Sequence, residues 1–291
     1  MAKVRLDVLL AERGLFESRA RAAASVIAGE VLLLPGRERP SKPGQMVTSE
    51  VEVEVAAGLR YVSRGGVKLA NALDELGLDV AGVCALDVGA STGGFTDCLL
   101  QRGAAHVVAV DVAYGELSWK LREDPRVTVI ERRNARNLQS AELPYAPGLI
   151  VIDVSFISLT KVLPAVLACA AARYDCLAMV KPQFEVGRER IGKGGVVRDP
   201  AARRGALVSV GSFAVGLGAS VAGYASSGLP GPKGNRETFV WLCEAARGVG
   251  VADLEAATLA VEPAPVAVEP APVAVEPAPA AVDPSATVVD P

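Results

Sequence analysis

The spacing of apolar and polar residues predicts a small α+β module at the start of the chain. Helical spacing predicts two amphipathic helices, from Arg5 to Leu15 and from Ser18 to Gly29, with a glycine stop and a serine cap. Short strands are expected from Val31 to Leu34 and from Val47 to Val55, the second with one solvent-facing side. The first sixty residues therefore read as a separate unit.

Longer apolar runs in the middle of the chain alternate with helical segments. The runs from Ala85 to Val88, Val107 to Val110, Leu149 to Asp153 and Cys176 to Lys181 are typical of buried strands. This alternation predicts an α/β fold, a Rossmann-like doubly wound sheet whose ligands collect at the carboxyl ends of its strands.

A segment without charged residues runs from Ala206 to Pro232 and has the hydropathy of a membrane span. Glycines and serines interrupt it, so it lacks the roughly 20 predominantly apolar residues that a bilayer requires. We expect instead a helix to Leu217, a turn at Gly218, a strand and then a loop.

The end of the chain is a repeat. Residues 261–281 are three near-copies of VEPAPVA, and 8 of the 19 prolines lie in the last 31 residues. This composition favours an extended, disordered tail, and a chain that ends at Leu259 is expected to keep its fold. The tail holds five acidic residues, so residues 1–260 carry 30 basic and 28 acidic residues, a balance that neither establishes nor excludes a nucleic-acid partner.

The composition is that of a globular protein from a reducing compartment. Of the 291 residues, 51% are apolar and 22% are charged. Five cysteines without a C-x-x-C pair argue against structural disulfides and a zinc site. The first twenty residues have scattered charges and no continuous apolar core, which argues against a signal peptide. We therefore expect a cytoplasmic protein that needs no metal.

A glycine-rich turn follows the first strand of the predicted sheet and indicates a ligand site. Gly89, Gly93 and Gly94 permit tight backbone turns before a helix from Phe95 to Gln101. Asp111 ends the next strand, 22 residues after Gly89, where an acid meets a ribose diol in open parallel sheets.

Three interpretations of this turn differ in the ligand. The glycine spacing matches a phosphate loop, but Phe95 stands where that loop needs a lysine, which argues against an NTPase. Asp87 at the strand end suits a cationic ligand better than a pyrophosphate, and S-adenosylmethionine is such a ligand. A strand-turn-helix corner without a ligand is the structural alternative.

Charged residues occur at the ends of the predicted strands and before the sheet. Asp153 and Lys181 end two strands, and Glu237 precedes another. Lys68 follows Arg60 and Arg64 at intervals of four, although regular helix is expected only from about Val67, after a Gly-Gly pair.

These charges allow a structural and a catalytic interpretation. In the structural one, Lys181 forms an ion pair with Asp153 or Glu237, and the basic stretch before the sheet is a solvated linker. In the catalytic one, Lys68, Asp153, Lys181 and Glu237 meet at one cleft.

The run RLDVLLAERGLFESRARA, from Arg5 to Ala22, resembles the small αL RNA-binding domain of a ribosomal protein, pseudouridine synthases and tyrosyl-tRNA synthetases. Without the resemblance, a solvated basic helix pair is the favoured interpretation and RNA binding the alternative. The resemblance implies RNA contacts by arginines of this module and of the stretch after it: Arg5, Arg13, Arg19, Arg21, Arg60 and Arg64.

The chain as a whole, from Arg5 to Leu242, resembles the TlyA family, also labelled haemolysin A-like. The resemblance is carried, in order, by SRGGVKL, LDVGASTGGFTDCLLQRGA, DVAYGELSWKLREDPRV, IDVSFISL, VKPQFEVG, GGVVRDP and GPKGNRE. That family joins an αL RNA-binding domain to an FtsJ-like methyltransferase. It implies domains at residues 1–60 and 67–250 and a linker at 61–66. The disordered tail, placed at 251–291, is predicted from its composition and lies outside the resemblance.

The resemblance also implies an activity and a site. The activity is methylation of ribose 2'-hydroxyls of ribosomal RNA, free or in ribosomal subunits, with S-adenosylmethionine as methyl donor and a tetrad of Lys68, Asp153, Lys181 and Glu237. An RNA-binding assembly factor without catalysis is the alternative, and a pore-forming haemolysin is disfavoured because no membrane-binding amphipathic element or membrane-spanning element is found. The predicted cofactor contacts are Asp87, Gly89, Ser91, Gly93, Gly94, Phe95, Asp111 and Asn134.

Overall fold

The fold is that of a computed structural model, which describes residues 3–16, 18–28, 31–55 and 60–262. The predicted end of the second helix at Gly29 and the part of the predicted tail from 263 onwards lie outside the described residues.

The first part of the chain forms an α+β module with its own core. Leu6, Leu10, Val26 and Val31 are buried in this core. The sheets are two antiparallel pairs, β1 with β3 and β2 with β4. The elements are β1 (Lys3–Arg5), α1 (Leu6–Glu12), α2 (Arg19–Ala28), β2 (Val31–Leu33), β3 (Met46–Thr48) and β4 (Val53–Val55).

The predicted single strand from Val47 to Val55 is wrong. A turn, in which the backbone N–H of Val51 donates to the carbonyl of Thr48, separates β3 from β4. Because the two halves pair with different strands, Val47 belongs to one small sheet, and Val53 and Val55 belong to the other.

A seven-stranded sheet forms the centre of the second domain, which confirms the predicted α/β fold. The strand order is β10-β11-β9-β8-β5-β6-β7. The last five strands in this order are parallel to one another. Strand β11 is antiparallel to both of its neighbours, β10 and β9. The elements are α3 (Arg64–Leu76), β5 (Cys84–Val88), α4 (Gly94–Gln101), β6 (His106–Val110), α5 (Trp119–Arg122), β7 (Val127–Ile130), β8 (Leu149–Ile152), α6 (Leu163–Leu167), β9 (Asp175–Val180), α7 (Pro182–Glu185), α8 (Pro200–Gly216), β10 (Ala219–Ser226), β11 (Thr238–Glu244) and α9 (Leu254–Val261).

Apolar side chains cover both faces of this sheet. Leu69 and Leu99 of α3 and α4 pack on one face, and Leu163 and Val210 of α6 and α8 pack on the other. The charge-free segment forms the predicted helix, turn and strand, with Gly218 in the left-handed conformation at φ 88°. No helix among the described residues is long and apolar enough to cross a membrane.

The predicted linker at 61–66 belongs to the folded domain. Helix α3 begins at Arg64, with the Ser63 side chain accepting a hydrogen bond from the Gly65 N–H, so the expected start near Val67 is wrong. Tyr61 is buried where a side chain on Gly66 would lie, which explains why the helix contains this glycine.

The fold also extends beyond residue 250, where the tail was predicted to begin. Helix α9 packs Leu254, Ala257 and Val261 against the sheet's core. After it, the buried carboxylate of Glu262 accepts two hydrogen bonds of 2.8 Å from Arg203. A chain that ends at Leu259 would leave this guanidinium without its carboxylate partner, so the fold extends at least to Glu262.

Candidate active site

The candidate site lies where the order of the parallel strands reverses. From β5 the chain passes to β6 and β7 on one side, and then returns to β8 on the other side. Ligands of open α/β sheets bind in the crevice at such a point. Gly89 follows β5 and Asp153 follows β8, and a Cβ on Gly89 would lie 2.5 Å from the Asp153 carbonyl oxygen.

A cleft of about 540 Å³ opens beside these strand ends. The Asp111 carboxylate on its wall accepts hydrogen bonds from the backbone N–H groups of Ser91 at 2.8 Å and Ala113 at 2.7 Å. Each carboxylate oxygen has a second lone pair, so Asp111 can still accept from a ligand hydroxyl. Asn134 lines the same cleft, and its side chain caps a short turn by accepting from the Arg136 N–H.

Asp87 does not line this cleft. It is fully buried behind the glycine turn, where one carboxylate oxygen accepts from both the N–H and the hydroxyl of Thr96. Its other oxygen has no hydrogen-bond partner among the described residues. Burial raises the pKa of Asp87 to about 7, and the charges of Asp153 and Asp111 act in the same direction.

The glycines and the phenylalanine of the turn have different surroundings. Gly93 has a φ of 94° and faces Leu117 and Leu121 in the core, away from the cleft. Gly94 packs closely on Ser63 at the start of α3. Phe95 is buried with its ring centroid 5.8 Å from that of Phe239, and it also lines the smaller of two cavities at the site.

Two ion pairs between a lysine and a carboxylate lie beside this cleft. Lys68 pairs with Glu237, and both side chains are buried. The Lys181 ammonium lies 2.5 Å from the Asp153 carboxylate and donates a hydrogen bond of 2.8 Å to the Ser155 hydroxyl. The ion pair that the structural interpretation expects for Lys181 is therefore present, with Asp153 as its partner.

Lys68, Asp153 and Lys181 line a second cavity of about 280 Å³ together with Arg64. Glu237 lies behind Lys68. Gly89, Ser91, Asp153 and Ser155 border both cavities. A ligand in the larger cleft is therefore adjacent to a second ligand that contacts the two lysines.

The larger cleft has the charge that a cationic nucleoside requires. Asp111, Glu116 and Asp153 contribute three carboxylates to its lining. Arg133 is the basic residue of that lining, and its guanidinium pairs with Glu142 at 2.5 Å. These residues fit S-adenosylmethionine, because its ribose diol suits Asp111 and its positive charge suits the carboxylates, whereas a polyphosphate would be repelled.

Three residues of the site were not predicted from the sequence. Ser155 holds Lys181, and Glu116 accepts from the Ser91 hydroxyl at 3.2 Å. Phe156 has a φ of 63° and is 91% exposed at the rim, with its ring centroid 5.4 Å from that of Phe184. An exposed aromatic residue in a left-handed conformation is unusual and indicates a functional position. Both properties are visible only in the structure, so the sequence could not identify Phe156.

Several predicted RNA-binding arginines have partners within the N-terminal module. Arg5 and Arg19 both donate to Asp7, and the pKa of that carboxyl is lowered to about 2, chiefly by its hydrogen bond with Arg5. Arg13 donates to the carbonyl groups of Ser49 and Val51. Arg21 is exposed. In the second domain, Arg64 borders the smaller cavity, and the Arg60 guanidinium lies 5.3 Å from the ring centre of Tyr61.

The fold and the site together define an α/β protein with a cleft at the switch point of its sheet and two lysines beside it. The family model of FtsJ-like methyltransferases matches residues 61–243. The 16S/23S rRNA (cytidine-2'-O)-methyltransferase TlyA of Mycobacterium tuberculosis is 46% identical over 260 residues, 88% of this chain and 96% of that protein. Hemolysin A of Brachyspira hyodysenteriae is 39% identical, over 80% of this chain and 97% of that protein.

A solved structure has the same fold. The structure titled putative hemolysin from Streptococcus thermophilus has a TM-score of 0.66 and 44% identity, covering 84% of this chain and 89% of that one. The chain belongs to the FtsJ-like methyltransferases and, within them, to the TlyA family.

Proposed function

We propose that the protein transfers a methyl group from S-adenosylmethionine to a ribose 2'-hydroxyl of ribosomal RNA. The main observation in support is the position of Lys181. Its ammonium is fixed by Asp153 and Ser155, and it lines the smaller cavity directly beside the border with the larger cleft. The cytidine-2'-O specificity in the name of the mycobacterial relative supports the same reaction.

The larger cleft holds the cofactor in this proposal. Asp111 binds the ribose hydroxyls, and Gly89 and Ser91 line the passage between the two cavities. Asn134 lies at the adenine end. Bound there, S-adenosylmethionine supplies a methyl group that is electrophilic because it is attached to a positively charged sulfur.

The two lysines act on the ribose. A hydroxyl is a poor nucleophile at neutral pH and must lose its proton as it reacts. Lys181 contacts that hydroxyl and acts as base or stabilises its developing negative charge. Lys68 lines the same cavity and is paired with Glu237, and Lys181 is paired with Asp153, so a carboxylate orients each ammonium group.

Phe156 gives the site a surface for the base of the target nucleotide. Its exposed ring lies at the rim of the cofactor cleft and is braced by Phe184. Unpaired RNA bases stack on such rings, which contribute about 1–3 kcal/mol per base. The N-terminal module, with Arg5, Arg13, Arg19 and Arg21, then contributes further RNA contacts.

The proposal is tested by transfer of labelled methyl groups to purified small and large ribosomal subunits. The wild-type protein is compared with Lys181→Ala and with the control Arg173→Ala. Arg173 is an exposed cation that precedes β9, whereas Lys181 follows it, so the two residues lie at opposite ends of this strand. We expect incorporation by the wild type and Arg173→Ala and a loss of about 10²-fold or more in Lys181→Ala. Equal incorporation by all three would contradict the role of Lys181, and no incorporation by any would favour an RNA-binding protein without catalysis.

A further inference from the structure

Two loops extend from the catalytic cleft and carry much of its nearby positive charge. The first loop, residues 187–198, follows Lys181 and α7. The second loop, residues 228–236, leads into Glu237 and contributes Pro232 to the smaller cavity. Both loops therefore begin or end within a few residues of the proposed catalytic groups.

The loops contain six basic residues and one acidic residue, Glu189. All six basic side chains are exposed. Within the described part of the chain, Arg236 alone among them lies within ion-pair distance of a carboxylate, 3.7 Å from Glu262. These residues, here called the basic surface, are Arg188, Arg190, Lys193, Arg198, Lys233 and Arg236.

A buried amide joins the two loops. The Asn235 side chain accepts a hydrogen bond of 2.9 Å from the Val197 N–H and donates one of 2.8 Å to the Gly195 carbonyl. Gly195 also packs beside Lys233, because a Cβ built on it would lie 3.9 Å from the lysine Nζ. Cations from both loops therefore belong to one surface, and its position relative to Glu237 is fixed.

The charge of this surface contrasts with that of the N-terminal module. There, Arg5 and Arg19 share the carboxylate of Asp7, whereas the loop cations are open to solvent. Exposed cations without carboxylate partners favour a polyanion, and phosphate groups of RNA meet that requirement. Glycine-rich loops also let backbone groups approach a phosphate closely.

We propose that the basic surface binds the phosphate backbone of the RNA strand next to the target ribose. This inference rests on the proposed function, because that function places the ribose in the cavity that Lys68, Lys181 and Pro232 border. The surface would hold the strand without reading its sequence, so that the site at the switch point selects the nucleotide.

The test measures binding of a fluorescein-labelled, 20-nucleotide single-stranded RNA by anisotropy between 50 and 250 mM KCl. The variants are Lys193→Glu, Lys233→Glu and the double variant. The control is Arg173→Glu, which changes the charge by as much as each single variant and precedes β9, at the end of that strand away from Lys181. We expect the double variant to bind at least tenfold more weakly at 100 mM KCl. The plot of log affinity against log salt concentration has a negative slope, and its magnitude should decrease by about two, one for each lost phosphate contact.

Calorimetry with S-adenosylmethionine and methyl transfer to ribosomal subunits complete the test. All variants should bind the cofactor with wild-type affinity, which shows that they are folded. If the wild type methylates RNA but the double variant binds the labelled RNA within twofold of Arg173→Glu, the basic surface is contradicted and the proposed function stands. A wild-type protein that transfers no methyl group to either subunit would contradict the proposed function and, with it, this inference.

Discussion

The ammonium of Lys68 pairs with the carboxylate of Glu237, although 169 residues separate them in the chain. Both groups are buried. A buried charge that loses its partner typically destabilises a protein by about 3–5 kcal/mol, whereas replacement of both charges by apolar residues is often neutral. We therefore expect Lys68→Ala or Glu237→Ala to lower the free energy of unfolding, measured with urea, by that amount.

The double variant Lys68→Met/Glu237→Leu separates stability from catalysis. Its free energy of unfolding should return to within about 1 kcal/mol of the wild type, while methyl transfer stays lost because the lysine is missing. A double variant with wild-type activity would show that the pair is only structural.

Asp111 is predicted to bind the cofactor ribose. Asp111→Ala removes a carboxylate that is already oriented by two backbone N–H groups, so S-adenosylmethionine should bind at least tenfold more weakly by calorimetry. Asp79→Ala is a suitable control, because Asp79 is an exposed carboxylate that precedes β5, whereas the cleft lies at the carboxyl end of that strand. Unchanged affinity in folded Asp111→Ala would contradict the ribose contact.

The buried Asp87 predicts a pH dependence of stability. Because its folded-state pKa is raised to about 7, from 3.8 in the unfolded chain, the folded protein holds the proton more tightly. Stability is therefore lost as pH rises from about 4 to about 7, by at most about 1.4 kcal/mol per pH unit, and the loss is complete above that range.

The neutral variant Asp87→Asn isolates this contribution. Urea unfolding at pH 5, 6, 7 and 8 should show the wild type losing stability relative to the variant up to about pH 7, with a constant difference at higher pH. Parallel curves over the whole range would mean that Asp87 does not titrate there.

Glu262 is predicted to be the last residue that the fold requires. Glu262→Ala, or a chain that ends at Leu259, leaves the Arg203 guanidinium buried without its carboxylate and should cost about 3–5 kcal/mol of stability. A chain that ends at Ala264 keeps helix α9 and this ion pair, and its urea midpoint should equal that of the full chain. Equal midpoints for the chains ending at Leu259 and Ala264 would refute the role of Glu262.

Local patterns identified Gly89, Ser91 and Asp111, which line the cleft that the proposal assigns to the cofactor. The strand, the glycine turn and Asp111 lie within one continuous stretch, and an apolar run followed by Gly89 indicates where β5 ends. The prediction for Asp87 was less complete, because sequence places it at a strand end but does not show that Thr96 and the glycine turn bury it.

Long-range packing explains what the sequence did not show. The Gly65-Gly66 pair is typical of a helix break, yet both glycines lie in α3. Position 66 is a glycine because the Tyr61 side chain occupies the space that a Cβ would need. Helix α9 ends at Val261, the first residue of the VEPAPVA repeat, and the next residue, Glu262, pairs with Arg203, 59 residues away in the chain. The family resemblance implied that Lys68, Asp153, Lys181 and Glu237 meet at one site. The sequence pattern alone did not decide between this arrangement and a structural ion pair.

The most direct test of the account is the identity of the methylated nucleoside. Ribosomal RNA treated with the wild-type protein and S-adenosylmethionine is digested to nucleosides and analysed by mass spectrometry, with Lys181→Ala as the comparison. The account predicts a 2'-O-methyl nucleoside, with the added mass on the ribose, in the wild-type sample only. A methyl group on the base, or the same 2'-O-methyl yield from Lys181→Ala, would contradict it.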